Sequence, residues 1–177
     1  NLLPGPHRFF TRRRAGLDTL PVLRDHHEYT GDSSRIALYL EKHYPEHPLI
    51  PEVGRGRRHV LEIEDQFDRM GVHVRRWFWG HLVERPAAME AMLTPFRSPR
   101  FIKRMLIPML RERVRSLYKL EPHALAKSEE RVLHGLDRLE RLSQQEPHQY
   151  LVGDALSLAD VTAASLLGPV IMPPESP

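Results

Sequence analysis

A proline inside a short apolar strand, followed closely by a capped helix, constrains the fold of this chain most strongly. Residues 19–23 read Thr-Leu-Pro-Val-Leu, a composition that predicts a β-strand. Pro21 cannot donate to a sheet ladder, which confines a strand proline to edges, bulges or special turns. A cis X-Pro bond is one such special case. We therefore predict a cis bond between Leu20 and Pro21, which turns the backbone N–H and C=O of Val22 outward to pair with an extended peptide.

A helix is predicted directly downstream, from Ser33 to Tyr44. Its apolar face consists of Ile36, Leu40 and Tyr44, at i, i+4 spacing. Asp32 or Ser33 is the expected N-cap, and Pro45 ends the helix because the residue before a proline avoids the helical conformation. The free N–H groups and the positive dipole end of such a helix start favour a carboxylate. A peptide-pairing strand beside this helix start would hold a small acidic peptide.

At these residues the chain resembles the cytosolic glutathione transferase family. The first matching block comprises Leu20-Pro21-Val22-Leu23, Asp32-Ser33, Ile36, Tyr39-Leu40-Glu41, Tyr44-Pro45 and Leu49-Ile50-Pro51. The second block runs from Tyr150 to Asp160 and reads Tyr-Leu-Val-Gly-Asp-Ala-Leu-Ser-Leu-Ala-Asp. The family has a proline before a strand, an acidic residue or Gln paired with Ser, and an Ile…Tyr-Leu-Glu helix. Both blocks occur in the order that the family has them.

The resemblance implies a fold of two lobes, α/β and then all-α. Residues 1–46 would form a partial thioredoxin-like glutathione-binding domain, 47–55 a linker and 56–177 a helical-bundle domain. It also implies that the first strand and helix of the family lie upstream of Asn1, and that more helix follows Pro177. The family's thiol-activating Tyr, Ser or Cys sits at the end of that first strand, so the catalytic residue stays unassigned in this chain.

The resemblance further implies a glutathione-binding site at Pro21, Val22, Asp32 and Ser33. Ser33 and the helix N–H groups would take the γ-glutamyl carboxylate, Asp32 the ammonium group, and the backbone of Val22 the cysteinyl residue. Glutathione is then the co-substrate, and a small apolar electrophile between the lobes accepts it. The expected protein is a cytoplasmic homodimeric transferase. The alternative is a non-catalytic binding or scaffold protein that kept the fold.

In the second half, apolar residues at helical spacing predict three further helical stretches. A long amphipathic helix begins near Gly56 and ends before Pro86. Residues 87–120 are helical in pattern but are interrupted by prolines, of which Pro108 would kink or end a helix. The pair Glu121-Pro122 opens the next helix, which stops by Pro147.

The spacing of Ser157 and Asp160 predicts a variant capping box at the start of a last helix. The box uses Asp where Glu is usual, and Leu156 and Val161 occupy the positions of a hydrophobic staple. The segment 158–167 is nearly all small or apolar, so this helix is expected deep in the core. Gly168-Pro169 is expected to close it. In the resembled family such a box supports folding rather than catalysis.

Composition excludes several classes of protein and site. The chain has 177 residues, 41% of them hydrophobic, and contains no cysteine, which excludes disulfides, thiolate zinc sites and cysteine nucleophiles within it. No apolar run approaches the roughly 18 residues of a membrane span. We therefore expect a soluble globular protein with no membrane partner.

The basic residues of the chain suggest two rival functions, nucleic-acid binding and metal binding. Arg12, Arg13 and Arg14 follow two phenylalanines, a pattern able to contact nucleic acid, but a net charge of +3 is not the footprint of a dedicated nucleic-acid binder. In the resembled fold, one arginine of the segment 7–15, which contains Arg8 as well as these three, would instead meet the glycyl carboxylate of glutathione. The eleven histidines include no His-Glu-x-x-His motif, which favours scattered surface histidines and no metal site.

Overall fold

The computed structural model describes residues 6–17, 20–93, 100–144 and 149–171. The chain divides into two compact units, Asn1–Glu52 and Val53–Pro177. The division lies inside the predicted linker 47–55. Helices dominate both units, and the first unit also contains a two-stranded antiparallel sheet.

The described part of the first unit contains two helices and two strands. Their bounds are α1 Pro6–Ala15, β1 Val22–Asp25, β2 Glu28–Gly31 and α2 Ser33–His43. The Leu20-Pro21 peptide is cis, as predicted. The strand predicted over 19–23 begins later, at Val22, because Pro21 has no N–H to contribute to a ladder; Thr19 lies outside the described residues.

β1 and β2 form a hairpin whose register is set by a tight turn at His26 and His27. Val22 pairs with Gly31 at the open end of the hairpin, and Asp25 pairs with Glu28 next to the turn. His26 adopts a φ of 50°, a left-handed conformation in which His is tolerated better than bulkier or β-branched residues. The hairpin therefore delivers the chain directly from β2 into α2.

The second unit is entirely helical in its described part. Its elements are α3 Gly54–Leu82, α4 Pro86–Met92, α5 Arg100–Tyr118, α6 Pro122–Gln144 and α7 Leu158–Ile171. The long predicted helix is α3, which packs chiefly against α6 and α7. Its buried face includes Val60, Ile63 and Phe67, at i, i+3 and i+7. None of the described helices combines the length and the apolar character that a membrane-crossing segment needs.

The prediction that Gly168-Pro169 closes the last helix is wrong, and of the two outcomes predicted for Pro108, a kink or an end, the end is excluded. Pro108 lies inside α5 and Pro169 lies inside α7, so neither residue ends its helix. A proline removes one backbone hydrogen bond and crowds the carbonyl four residues earlier, but its fixed φ is compatible with a helix, and each helix continues past the missing bond. Pro95 and Pro99 lie outside the described residues.

α7 is only partly buried, which corrects the expectation that it lies deep in the core throughout. Ala159, Ala163 and Leu167 are buried at i, i+4 and i+8, whereas Val161 is 38% exposed. α7 lies close to α3 at Gly71, where an added Cβ would come within 3.0 Å of the Leu166 side chain.

The capping box predicted at the start of α7 is present in one of its two halves, in which the side chain of Asp160 reaches back to the backbone of Ser157. The Asp160 carboxylate accepts hydrogen bonds from the Ser157 backbone N–H at 2.9 Å and from the Ser157 hydroxyl at 2.6 Å. Its other oxygen accepts from the Leu151 N–H at 2.8 Å. One carboxylate therefore both caps α7 and fixes the loop that leads into it.

A fully buried hydroxyl joins α3 to α6. The Ser128 hydroxyl donates to the Ala124 carbonyl oxygen at 2.8 Å, which uses its single proton. Arg76 Nη1 and His73 Nδ1 each lie 3.1 Å from the same oxygen, so both are donors to it and His73 carries its proton on Nδ1. All the hydrogen-bonding capacity of this hydroxyl is thereby used.

Candidate functional site

The four residues predicted to bind glutathione meet at one end of the hairpin. Val22 opposes Gly31 in the β1–β2 register, and paired residues in an antiparallel ladder lie about 4.5–5.5 Å apart at Cα. Pro21 precedes Val22 directly, and Asp32 and Ser33 follow Gly31 directly. The segment Pro21-Val22 therefore lies beside the start of α2.

Asp32 is the N-cap of α2, which settles the choice that the sequence left open between Asp32 and Ser33. Its Oδ1 accepts a hydrogen bond from the Arg35 N–H at 3.2 Å, and its carbonyl accepts from the Ile36 N–H at 2.9 Å. Asp32 has φ 76° and ψ 131°, a conformation that only glycine adopts without cost. The cap is therefore formed by a residue held in a strained backbone conformation.

Ser33 is the first residue of α2, and its hydroxyl is not used by the fold. Its side chain is exposed, and among the described residues it has no hydrogen-bond partner. The first turn of α2 contains no acidic residue, and the carboxylate of the N-cap residue Asp32 accepts from the Arg35 N–H at this helix start. A ligand carboxylate at this helix start would gain the backbone donors, the dipole and the Ser33 hydroxyl.

β1 has a strand partner on one side only. Within the described residues the sheet consists of β1 and β2, so the other edge of β1, which begins at Val22, has no neighbouring strand there. An unpaired strand edge is the surface to which an extended peptide adds. The Leu17 side chain packs against this corner, since a Cβ added at Gly31 would lie 2.7 Å from it.

Asp25, on the same hairpin, is the centre of a cluster of hydrogen bonds that was not predicted from the sequence. Asp25 Oδ2 accepts from the hydroxyls of Tyr39 at 3.0 Å and Tyr44 at 2.7 Å, and Oδ1 lies 2.8 Å from His26 Nδ1. The Tyr44 and Tyr39 hydrogen bonds lower the pKa of Asp25, with a smaller contribution from His26. The cluster attaches the far end of α2 to β1 and so orients the whole helix.

The two tyrosines of this cluster are poor candidates for activating a thiol. Desolvation and the hydrogen bond to Asp25 raise the pKa of Tyr39 to about 12. The hydrogen bond to Asp25, followed by desolvation, also raises the pKa of Tyr44. Both hydroxyls already donate to a carboxylate, so neither has a proton available to stabilise a thiolate, and the catalytic residue stays unassigned.

The sequence offered two rival chemistries, nucleic-acid contact through arginines and metal binding through histidines. Arg12, Arg13 and Arg14 form the last turn of α1, where positive charge complements the helix dipole. Among the described residues, no group of three or more His, Cys, Asp or Glu side chains lies close enough together to hold a metal ion.

Comparison with known proteins adds no family to this picture. The chain matches no protein-family model, and no curated protein or solved structure is significantly similar to it. The resemblance to glutathione transferases therefore rests on the motifs quoted from the sequence.

Proposed function

We propose that this chain is a glutathione transferase-like protein, which binds glutathione on its first unit and transfers it to a small apolar electrophile. The first unit would then be a partial thioredoxin-like lobe and the second its helical-bundle companion. The observation that carries the proposal is the β1–β2 register, in which Val22 opposes Gly31 and Pro21-Val22 lies beside Asp32-Ser33. These are the four residues that the resemblance assigns to glutathione.

Each part of the tripeptide has a complementary group in this arrangement. The γ-glutamyl carboxylate takes the Ser33 hydroxyl and the positive dipole end at the start of α2. The γ-glutamyl ammonium group binds the Asp32 carboxylate, whose Oδ1 also accepts a hydrogen bond from the Arg35 N–H. The backbone of Val22, at the unpaired edge of β1, pairs with the cysteinyl residue. The tripeptide is thereby held in an extended conformation.

The reaction is attack of the glutathione sulfur on the electrophile. The thiol proton leaves to solvent or to a base, the sulfur forms a bond to the electrophilic carbon, and a leaving group, where there is one, departs with its electron pair. A free thiol has a pKa of about 8.5 and is only a few per cent ionised at neutral pH. The group that stabilises the thiolate is unassigned, and the residues named above bind and orient the substrate.

The setting of this reaction follows the same proposal. We place the protein in the cytoplasm, where glutathione is kept reduced and a chain without cysteine has no thiol of its own to be oxidised. The homodimeric state is proposed on the family resemblance alone.

Calorimetry with glutathione tests the site. Ser33→Ala removes one charge-assisted hydrogen bond, so its affinity should fall roughly ten- to a hundredfold. Asp32→Asn keeps a capping side chain but removes the charge that meets the ammonium group, and its affinity should fall by at least about tenfold. Ser116→Ala, an exposed serine on α5, is the matched control and should bind as the parent does.

Two further outcomes separate the candidate functions. Conjugation of glutathione to an activated aryl chloride, measured by absorbance, indicates a transferase. Binding without conjugation indicates a non-catalytic binding protein. No binding by the parent, or equal affinity for the parent and Ser33→Ala, contradicts the proposed site.

A further inference from the structure

A basic cleft lies between α3 and α6 in the second unit. Its volume is about 490 Å³, within the range of small-molecule sites. Its cationic and histidine lining consists of Arg69, His73, Lys127, Arg131, His134 and Arg138. No carboxylate is among its lining residues. A concave surface that carries several cations and no carboxylate raises the local concentration of anions.

The basic residues of α6 lie on one stripe of that helix. Lys127, Arg131, His134 and Arg138 are spaced at i, i+4, i+7 and i+11, which places them on one face. Lys127 and Arg131 are a like-charge pair at i, i+4, which destabilises an isolated helix by about 0.2–0.5 kcal/mol. The fold therefore holds these charges together at a cost that a bound anion would offset.

Three of these cations have no partner within the described residues. Arg69 is paired with Asp65, with Nη2 and Oδ2 2.7 Å apart. Lys127, Arg131 and Arg138 have no hydrogen bond or ion pair there, and Arg138 Nε is buried without an acceptor. A buried donor without an acceptor is costly, so the cleft lacks the acceptors that an oxyanion would supply.

The pKa of His73 is influenced by the same group of positive charges. Burial is the main cause that lowers its pKa, and Arg76, Arg131 and Lys127 lower it further. These three charges come from both α3 and α6. Its Nδ1 donates to Ser128, so Nε2 is the nitrogen that titrates.

Besides the polar Gln66, the other lining residues are apolar or glycine. Phe67 and Met70 of α3 and Gly135 of α6 lie in the cleft. A Cβ added at Gly135 would overlap the Met70 sulfur, so glycine permits the close approach of the two helices. An occupant would therefore meet an apolar surface as well as the cations.

We propose that this cleft binds a small organic phosphate, with the phosphate group between Lys127, Arg131 and Arg138 and the organic part against Phe67 and Met70. A phosphate monoester carries about −1.5 to −2 charges at neutral pH, comparable to the charge of the three unpaired cations. The planar guanidinium groups of Arg131 and Arg138 match the oxygens of a phosphate in paired hydrogen bonds. This site is independent of the proposed glutathione site.

Calorimetry with inorganic pyrophosphate at constant ionic strength tests the proposal. Arg131→Gln and Arg138→Gln should each weaken binding by about tenfold or more. Arg113→Gln, an exposed arginine of α5, removes the same charge elsewhere and should change the affinity less than about twofold. Equal weakening by all three variants would show non-specific charge attraction and overturn the proposal.

Two readouts do not depend on the removal of charge. Gly135→Ala should push the Met70 thioether into the cleft and weaken pyrophosphate binding, with helical content verified by circular dichroism. Bound pyrophosphate should raise the pKa of His73, because the anion offsets the positive charges of Arg76, Arg131 and Lys127. NMR of the imidazole ring measures this shift. No change at His73 on saturation, or tighter binding of a single-stranded oligonucleotide than of pyrophosphate, would refute a small-molecule phosphate site. If Gly135→Ala does not fold, the two arginine variants and the His73 titration decide the matter.

Discussion

The hydroxyl of Tyr44, just beyond the end of α2, donates a 2.7 Å hydrogen bond to the carboxylate of Asp25, at the end of β1. Tyr39 donates to the same oxygen at 3.0 Å. These bonds span 19 and 14 residues of sequence and attach the helix whose first residues form the candidate glutathione site. Two pH dependences follow from this single carboxylate.

On the acid side, the first unit should lose stability as the Asp25 carboxylate is protonated. The pKa of Asp25 is lowered in the folded protein, so the folded state binds this proton less readily than the unfolded state. The contribution is fully present above the unfolded pKa of about 3.9 and is lost as the pH falls through the folded value. Tyr44→Phe removes the largest cause of the shift, so its free energy of unfolding should depend less on pH in this range.

Urea unfolding followed by circular dichroism, repeated from neutral pH to acid, measures this effect. Tyr29→Phe is the matched control, because the Tyr29 ring lies under the Arg24 guanidinium at 5.8 Å and not against Asp25. Parallel pH profiles for the parent and Tyr44→Phe would contradict the assignment.

On the alkaline side, Tyr39 should titrate at a higher pH than an ordinary tyrosine side chain. Its pKa of about 12 is raised by desolvation first and by Asp25 second. The raised pKa stabilises the fold fully below the unfolded value of about 10, and this contribution is lost as the pH rises towards 12. Asp25→Asn removes the charge but not the desolvation, so it should lower the pKa of Tyr39 only in part. Tyrosinate absorbance during alkaline titration measures it, and an unchanged titration curve in Asp25→Asn would count against the role of Asp25.

Removal of the Asp160 carboxylate should destabilise the second unit more than loss of an ordinary cap. Asp160→Ala leaves the N–H groups of Ser157 and Leu151 without the acceptor they now share, and we expect a loss of about 2–4 kcal/mol. Ser157→Ala removes only the hydroxyl that donates to Asp160 and should cost about 1 kcal/mol. Asp137→Ala, an exposed acidic residue of α6, is the control. Unfolding curves of Asp160→Ala that superimpose on those of the control would reject the capping role.

These local features were predictable because all their determinants lie within a few residues. Ser157 and Asp160 are three positions apart, and the bounds of α2 follow from Asp32 at one end and Pro45 at the other. The Asp25 cluster was not predictable, because it joins a strand end to a helix that only the folded hairpin brings together. The basic cleft was missed for the same reason: Arg69 and Arg131 are far apart in sequence, and each reads as an ordinary solvated residue on an amphipathic helix. The prediction that Pro169 ends its helix failed because a proline lowers the stability of a helix but does not prevent one whose neighbouring residues are buried.

Ser128 should be the most sensitive polar position between α3 and α6. Ser128→Ala removes the acceptor of both Arg76 and His73 and leaves their partly buried donors without it, so we expect a loss of about 1–3 kcal/mol. Ser116→Ala, exposed on α5, should change the stability by less than about 0.5 kcal/mol. Chemical unfolding measures both variants, and equal stabilities for the two would show that the buried hydroxyl contributes nothing.

Substitution of Asp32, whose backbone conformation is strained, should change stability and glutathione binding in opposite directions. Its φ of 76° is unfavourable for a residue with a Cβ, by about 1–3 kcal/mol. Asp32→Gly relieves this cost, while a glycine N-cap is only a few tenths of a kcal/mol poorer than the best caps. We therefore expect Asp32→Gly to unfold at higher urea, by about 1 kcal/mol or more, and yet to bind glutathione at least about tenfold more weakly, because the charge for the γ-glutamyl ammonium is gone. Lys119→Gly, at a φ of 52° after α5, is the control that should gain stability without losing affinity. A less stable Asp32→Gly variant would show that the strain is not real, and unchanged affinity would show that Asp32 serves the helix alone.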